Sequence, residues 1–545
     1  MTMFDKFVTS LRNEFGEQEA GKRFEVFCKW FLENDPIWSK VVDKVWAWED
    51  YPNKWQQQDL GTDLVFVDKN GLIWAVQAKC YGEHRATKKA DLNSFLADTG
   101  RKQVNRRLWM QTTNRMETNA KKTLEGQEKK VTVINLDAFR EAKIDYPSRF
   151  SELQRAQLKE KPTPDPHQKN AISDVVTGLG SDNKGQLIMA CGTGKTFVTL
   201  WIKEGLEAKT TLVLIPSLSL LSQTLQEWTW AANADFEVLC VCSDKSVVKD
   251  SEDTKPSDAP FYVTSNIVEI ERFMLKSGSK VVFCTYQSSE LVAQAQSNAS
   301  VQPFDLVIAD EAHRCVGKVS SDFASVLDDE KIKSTKKLFA TATPRLIGQS
   351  TKTKAKERDL EIVDMNDTSK FGKVLHKLTF GEAIHYKPEP LLNDYRVVIV
   401  GVDEPMVRKW IKNYEIVDIG DGNPTDARTL AAKIALIKSI KDFNLSRIIS
   451  FHSRVSAAKD FSDTFLDTVN FVNVNERPRG LILSDHVSGK MKTFNRREKI
   501  NRLKKLEGYD VGLLTNARCL SEGVDVPALD GVIFIDPKGS QVDII

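Results

Sequence analysis

Residues Gln186–Gly205 read QLIMACGTGKTFVTLWIKEG. The stretch opens as an apolar run, turns through Gly192 and Gly194, and continues with apolar residues at helical spacing. A buried strand, a glycine turn and a helix in that order make a loop that cradles phosphate. The glycines let backbone N–H groups face inward, and the helix N-terminus adds a favourable dipole. Ala190–Thr196 is therefore read as a nucleotide site. Gly192, Thr193 and Gly194 supply amides, Lys195 reaches the β- and γ-phosphates of ATP, and Thr196 ligates magnesium, Mg2+. Met189 stands where the strict pattern opens with glycine.

The segments on either side repeat the style. Strands are expected at 211–216 (TLVLIP), 236–242 (FEVLCVC), 280–285 (KVVFCT), 304–310 (FDLVIAD) and 337–342 (KLFATA), with amphipathic stretches between them. That alternation predicts an α/β fold with a parallel sheet covered on both faces. Asp310-Glu311-Ala312-His313 ends one of these strands, which delivers both acids to the carboxyl edge of the sheet, where ligands bind. Asp310 is expected to hold magnesium and Glu311 to orient or deprotonate the attacking water. Further strands are expected at 396–400, 447–452, 511–515 and 531–535.

These motifs, in this order, resemble a superfamily 2 helicase of the DEAH-box kind. His167-Gln168 resembles the motif in which Gln168 reads adenine, and Thr285-Tyr286-Gln287 and Pro216–Leu220 resemble those that touch the nucleic-acid strand. Thr341–Pro344 resembles the motif that couples hydrolysis to movement, and Phe451–Arg454 the first motif of the second lobe. Thr515–Arg518 with Glu522–Pro527 resembles the motif facing nucleotide and nucleic acid, which brings Gly523 and Asp525 to the ATP. The resemblance implies two RecA-like lobes, at 167–365 and 366–545. The family's last motif, Q-x-x-G-R-x-x-R, has no match here. The expectation is that the second lobe is incomplete and that this chain binds ATP but hydrolyses it poorly, since an arginine finger is worth about 10³–10⁵ in rate.

Before the motor, residues 1–150 carry a second constellation. A helix is expected through FEVFCKWFL and Glu25, and a hairpin from LVFV (64–67) and LIWAVQA (72–78), joined by the turn Asp68–Gly71. Strands at 108–113 and 131–136 follow. On the hairpin, Gln77 and Lys79 share a face and Asp63 opens the partner strand. The pattern resembles the D…(E/Q)-x-K core of restriction-type nucleases, the Mrr-like branch, which implies a restriction-endonuclease-like α/β/α domain. In that reading Asp63 and Gln77 bind a hard divalent cation, Lys79 positions water or stabilises charge on phosphorus, and Glu25 approaches from the helix. Residues 151–166 read as a linker. Trp46, Trp48, Trp55 and Trp74 are aromatic enough to stack on bases, with core packing the plainer expectation.

Composition narrows the rest. The net charge is only +2, but residues 79–130 carry 13 bases against 6 acids, a surface suited to DNA or simply a solvated helix face. No apolar run is long enough to span a bilayer, no signal peptide is visible, and the eight cysteines lack C-x-x-C spacing. A reduced, cytoplasmic protein with no membrane partner is expected. An Mrr-like nuclease followed by such a motor resembles the N-terminal part of type ISP single-chain restriction–modification enzymes. That resemblance implies an ATP-dependent endonuclease and translocase acting on double-stranded DNA, with methyltransferase and target-recognition domains on the full-length chain. The rival readings are a repair or remodelling helicase with an inert nuclease-like DNA-binding domain, an RNA-directed motor, and a non-enzymatic nucleotide switch.

Overall fold

The computed structural model describes residues 2–55, 61–243, 256–318, 322–347, 362–400, 416–417, 425–489, 491, 493–517, 520 and 529–536. Strands β1 (Val42–Ala47), β2 (Leu64–Asp68), β3 (Ile73–Lys79), β4 (Arg106–Gln111) and β5 (Val131–Ile134) form one sheet in chain order. The first three run antiparallel and the last three parallel. Helix α1 (Met3–Asn34), with α2 (Trp38–Val41) and α5 (Leu136–Glu141), accompanies one face, while α3 (Lys89–Asp98) and α4 (Thr118–Glu125) pack together on the other. Each face has its own core, one around Phe27, Phe66 and Trp74 and the other around Phe95 and Trp109. This is the expected α/β/α nuclease-like layer structure, with β1 added.

Helix α1 is two helices. Gly16 has φ 70° and ψ 169°, a conformation essentially reserved for glycine, and the chain turns there. Phe4 and Phe7 on the first half then meet Phe27 on the second, with ring centroids 5.6 and 5.3 Å apart. The expected linker is partly structured. Phe150–Arg155 is a 3₁₀ turn with Leu153 in the nuclease core, and β6 (Ile144–Asp145) pairs with β7 (Gln157–Leu158).

The second sheet is wholly parallel. It contains β8 (Lys184–Met189), β9 (Thr210–Ile215), β10 (Glu237–Val241), β11 (Val263–Thr264), β12 (Lys280–Thr285), β13 (Phe304–Ala309), β15 (Ser334–Thr341) and β17 (Lys373–Leu378), in the order β11-β10-β12-β9-β13-β15-β8-β17. A short pair, β14 (Gly317–Lys318) with β16 (Ile362–Val363), lies outside it. Helices α6 (Pro166–Ser181), α7 (Lys195–Gly205) and α8 (Leu218–Ala231) bury their apolar faces on this sheet. The reading that ended this lobe at 365 is corrected, because β17 pairs with the phosphate-loop strand and the compact unit runs to Asn393.

The other compact unit begins at Asp394. Its sheet has the order β21 (Ile482–His486), β22 (Val511–Asn516), β20 (Arg447–Phe451), β23 (Gly531–Phe534), all parallel. A small pair, β18 (Ile416–Val417) and β19 (Thr425–Asp426), precedes it. The strand expected at 396–400 is not formed, and Ile399 is 94% exposed. Both sheets are of the RecA-like parallel kind expected for motor lobes.

Candidate active sites

The phosphate loop stands at the carboxyl edge of β8. Gly194 caps α7 in the left-handed region (φ 82°), and a side chain there would collide with Gln168. The Thr193 hydroxyl donates to the Ala190 carbonyl at 2.7 Å, tightening the turn. Lys195 opens α7, and its ammonium lies 3.1 Å from Glu311 Oε1. Burial alone would lower the Lys195 pKa, but Glu311 and Asp310 outweigh it and hold the lysine charged. Thr196 stands beside it on the first turn of α7.

Asp310 follows β13 directly. Burial pushes its carboxyl up, while Lys195 pulls against that. Glu311 has φ 48°, a strained value for a side-chain-bearing residue. Burial raises its pKa too, yet Lys195 and His313 together hold it well below the usual carboxylate range. His313 Nδ1 lies 3.3 Å from Glu311 Oε2 and 3.0 Å from the Thr341 hydroxyl. A continuous polar line therefore runs from Lys195 through Glu311 and His313 to Thr341.

The structure places two motif residues in unexpected roles. The Gln168 side chain accepts from the Asp165 amide at 2.9 Å and donates to the Thr193 carbonyl at 3.2 Å, so it braces the phosphate loop. His167 Nε2 meets the same carbonyl at 3.0 Å. Tyr286, expected to face the nucleic acid, is fully buried and donates to the Asp310 carbonyl at 2.7 Å. Gln287 beside it is only partly buried. In the second unit, Asn516 Nδ2 donates to the Ser450 carbonyl at 3.0 Å, and burial holds His452 down at about 4. Gly523 and Asp525 lie outside the described residues, so their expected place facing the nucleotide is not described.

The second site lies at one edge of the nuclease-like sheet. The Asp63 amide donates to the Val76 carbonyl at 2.9 Å, which sets Asp63 opposite the end of β3. Its Oδ2 then accepts from Gln77 Nε2 at 2.5 Å and from the Ala78 amide at 2.6 Å. Gln77 is 1% exposed, and its Oε1 is buried with no hydrogen-bond partner. An orphaned buried acceptor is costly unless something satisfies it. Lys79 ends β3. Glu25, on the second half of α1, and Asp63 both lie near enough to the buried Cys28 thiol to raise its pKa, with burial the larger cause. No cluster of three or more histidine, cysteine or acidic side chains is set to hold a metal among the described residues. Two carboxylates and one orphaned amide oxygen nevertheless fit a hard divalent cation, which takes oxygen ligands. Thr112, at the strand end that the LWMQTTN run marks in the sequence, also meets two residues here that the sequence did not single out: Arg12 and Tyr81 join it at the ends of β3 and β4.

Trp74 is fully buried, and Trp48 and Trp55 pack on each other with centroids 4.6 Å apart.

Residues 33–156 match the family model described as "Restriction endonuclease", and residues 161–346 match "Type III restriction enzyme, res subunit". The chain joins an Mrr-like restriction endonuclease domain to a helicase domain of the type III res-subunit kind. Among solved structures, the chain overlays the "ATP-dependent Type ISP restriction-modification enzyme LlaBIII bound to DNA". The match has a TM-score of 0.81 and 28% identity, covering 99% of this chain and 36% of that one. Among curated proteins, it is 28% identical over 384 residues to "Probable helicase A859L" of African swine fever virus (isolate Tick/Malawi/Lil 20-1/1983), covering 70% of this chain. The chain spans 38% of the length of that relative. No helix among the described residues is long and apolar enough to cross a membrane.

Proposed function

We propose that this chain uses ATP to move on double-stranded DNA and cuts that DNA with a metal-dependent nuclease, as part of a cytoplasmic restriction system of the type ISP kind. Methylation and target recognition would lie on further domains of the same system. The observation that carries the reading is the polar line Lys195–Glu311–His313–Thr341 in the same compact unit as the Asp63–Gln77–Lys79 hairpin.

At the motor site, phosphate oxygens of ATP would meet the amides of Gly192–Gly194 and draw Lys195 away from Glu311. Released from that pair, Glu311 can turn to a water molecule, while His313 and Thr341 register its change of partner. Thr196 and Asp310 would hold magnesium, which neutralises phosphate charge when bound. Gly523 and Asp525 would close the nucleotide site from the second lobe, with Gln168 fixing the loop beside the base. At the nuclease site, Asp63, Gln77 Oε1 and Glu25 would hold a divalent cation, which polarises phosphate and acidifies water when bound. Lys79 offsets charge building on phosphorus.

Paired substitutions test this. Lys195→Ala should lose ATP binding, read with a fluorescent ATP analogue, and leave Mg2+-dependent nicking intact on a duplex that needs no translocation. Asp63→Ala should lose nicking and keep ATP binding. Nicking that persists unchanged in Asp63→Ala would favour the helicase with an inert nuclease-like module. Nucleotide turnover stimulated by RNA but not by duplex DNA would replace the DNA reading.

A further inference from the structure

The break at Gly16 folds the first half of α1 back along the second, and it brings Arg12 to the nuclease edge. A straight helix would set Arg12 and Cys28 roughly 24 Å apart. Instead, Arg12 acts on Cys80, which follows Lys79 directly, and Cys80 in turn acts on Cys28. Arg12 Nη2 donates to the Tyr81 carbonyl and, at 3.3 Å, to the Thr112 hydroxyl, and it lies 3.9 Å from Cys80 Sγ. The Thr112 amide in turn donates to the Lys79 carbonyl at 3.1 Å. One guanidinium nitrogen is thus fixed to the strand ends that carry Lys79 and face Asp63.

The rest of the guanidinium is uncommitted. Nε and Nη1 of Arg12 make no hydrogen bond among the described residues, and no carboxylate pairs with the side chain. Glu17 is near enough to influence Cys80 but forms no ion pair with Arg12. An arginine paired with a carboxylate has its fork occupied and its charge offset. This one is anchored through neutral oxygens and keeps its charge and two donor groups for something else. Arginine's planar fork matches phosphate oxygens.

We infer that Arg12 binds a backbone phosphate of the DNA strand lying across the Asp63–Gln77–Lys79 edge. This rests on the nuclease reading above for its setting. It assigns to the first half of α1, which lies outside the segment matched to the endonuclease family, a direct part in holding the DNA.

The test is a salt titration of binding. The 545-residue chain carrying Asp63→Ala, so that the probe stays whole, is titrated with a labelled blunt DNA duplex by fluorescence anisotropy over a series of KCl concentrations. Adding Arg12→Met should weaken binding and reduce the slope of log K against log [salt] by about one, the loss of one phosphate contact. Arg12→Lys should restore the slope. An unchanged slope in Arg12→Met overturns the assignment. If Arg12→Met lowers the thermal midpoint of the chain, Arg12→Gln takes its place, since it can still donate to the Tyr81 carbonyl but has no charge. The nuclease reading is judged apart, by nicking in Mg2+. Equal nicking with and without Asp63→Ala defeats that reading, and the salt slope still decides whether Arg12 holds phosphate.

Discussion

Glu311 has a carboxylate shared between a lysine and a histidine and a backbone held in the left-handed region. Residues in such sparsely populated conformations cluster at functional sites. Glu311→Gln should therefore separate binding from chemistry. The amide keeps the shape but cannot take a proton, so hydrolysis should fall about 10²–10⁴-fold. Affinity should move the other way. Wild-type Lys195 must leave an ion pair to reach phosphate, and in the variant it leaves only a neutral amide, so ATP should bind as tightly or up to about tenfold tighter, roughly 1.4 kcal/mol. Phosphate release and binding of a fluorescent ATP analogue measure the two arms, and unimpaired hydrolysis removes Glu311 from its assigned role. At this scale the sequence was highly legible for residues whose chemistry is carried by local spacing, such as Lys195 after two glycines. It was poorly legible where a residue's partner comes from elsewhere. Gln168 carries the pattern of an adenine reader, and its spacing gave no sign that the same amide also bonds Asp165 and Thr193. Arg12 has no local signature at all.

Among the elements, strands with uninterrupted apolar runs were visible in sequence, and those with broken patterns were not. β1 has a bulge between Val42 and Lys44 that interrupts its alternation, and β17 buries only Leu378, so neither has a strand's periodicity. The opposite error occurred at 396–400, where five residues rich in valine and isoleucine promise a strand that does not form. An apolar run states a need for burial and does not say what supplies it. Helix α1 shows the same limit. Its apolar spacing marks a helix through Glu25, but the fold-back depends on one backbone angle at Gly16. Beyond the local backbone, no atom lies within 4 Å of where a Gly16 Cβ would stand, so Gly16→Ala isolates the backbone cost from any packing clash. Holding alanine at that φ and ψ should cost about 1–3 kcal/mol. The nuclease domain should unfold at lower temperature, with weaker protection from hydrogen exchange at the Phe4–Phe27 contact. Wild-type stability in Gly16→Ala would mean that the two halves do not need the break.

At the scale of the whole first unit, the basic stretch 79–130 acquires a different meaning. Its charge suits DNA, yet part of it is turned onto the helicase domain. Arg106 lies over the Tyr262 ring at 3.6 Å, pairs with Glu269 at 3.2 Å, and approaches Asp68 at 3.6 Å on its own side. The Tyr262 hydroxyl donates to Glu269 at 2.8 Å, and Lys121 pairs with Asp258 at 2.6 Å. Burial raises the Glu269 pKa, but Arg106 leads a set of partners that bring it below its ordinary value, so the pair is charged on both sides. No spacing rule links Arg106 to Glu269, and sequence reading could only count the arginine as one more surface base. The geometry makes it a clamp between the nuclease-like domain and the first motor lobe, and such a clamp should make the two unfold together. Removing one partner of a partly buried pair leaves the other carboxylate without its cation, a cost that approaches about 3–5 kcal/mol when burial is complete and is smaller here. Arg106→Ala should therefore split calorimetric unfolding of this unit into separate nuclease and motor transitions, with protease access to residues 159–165 increasing. Glu269→Gln should weaken the same joint less, because Tyr262 can still donate to the amide oxygen. A single unsplit transition in Arg106→Ala would show that the two domains are joined by their apolar contacts, Ile37 and Tyr262 each packing into the other's core, and that the charge pair adds nothing to the joint.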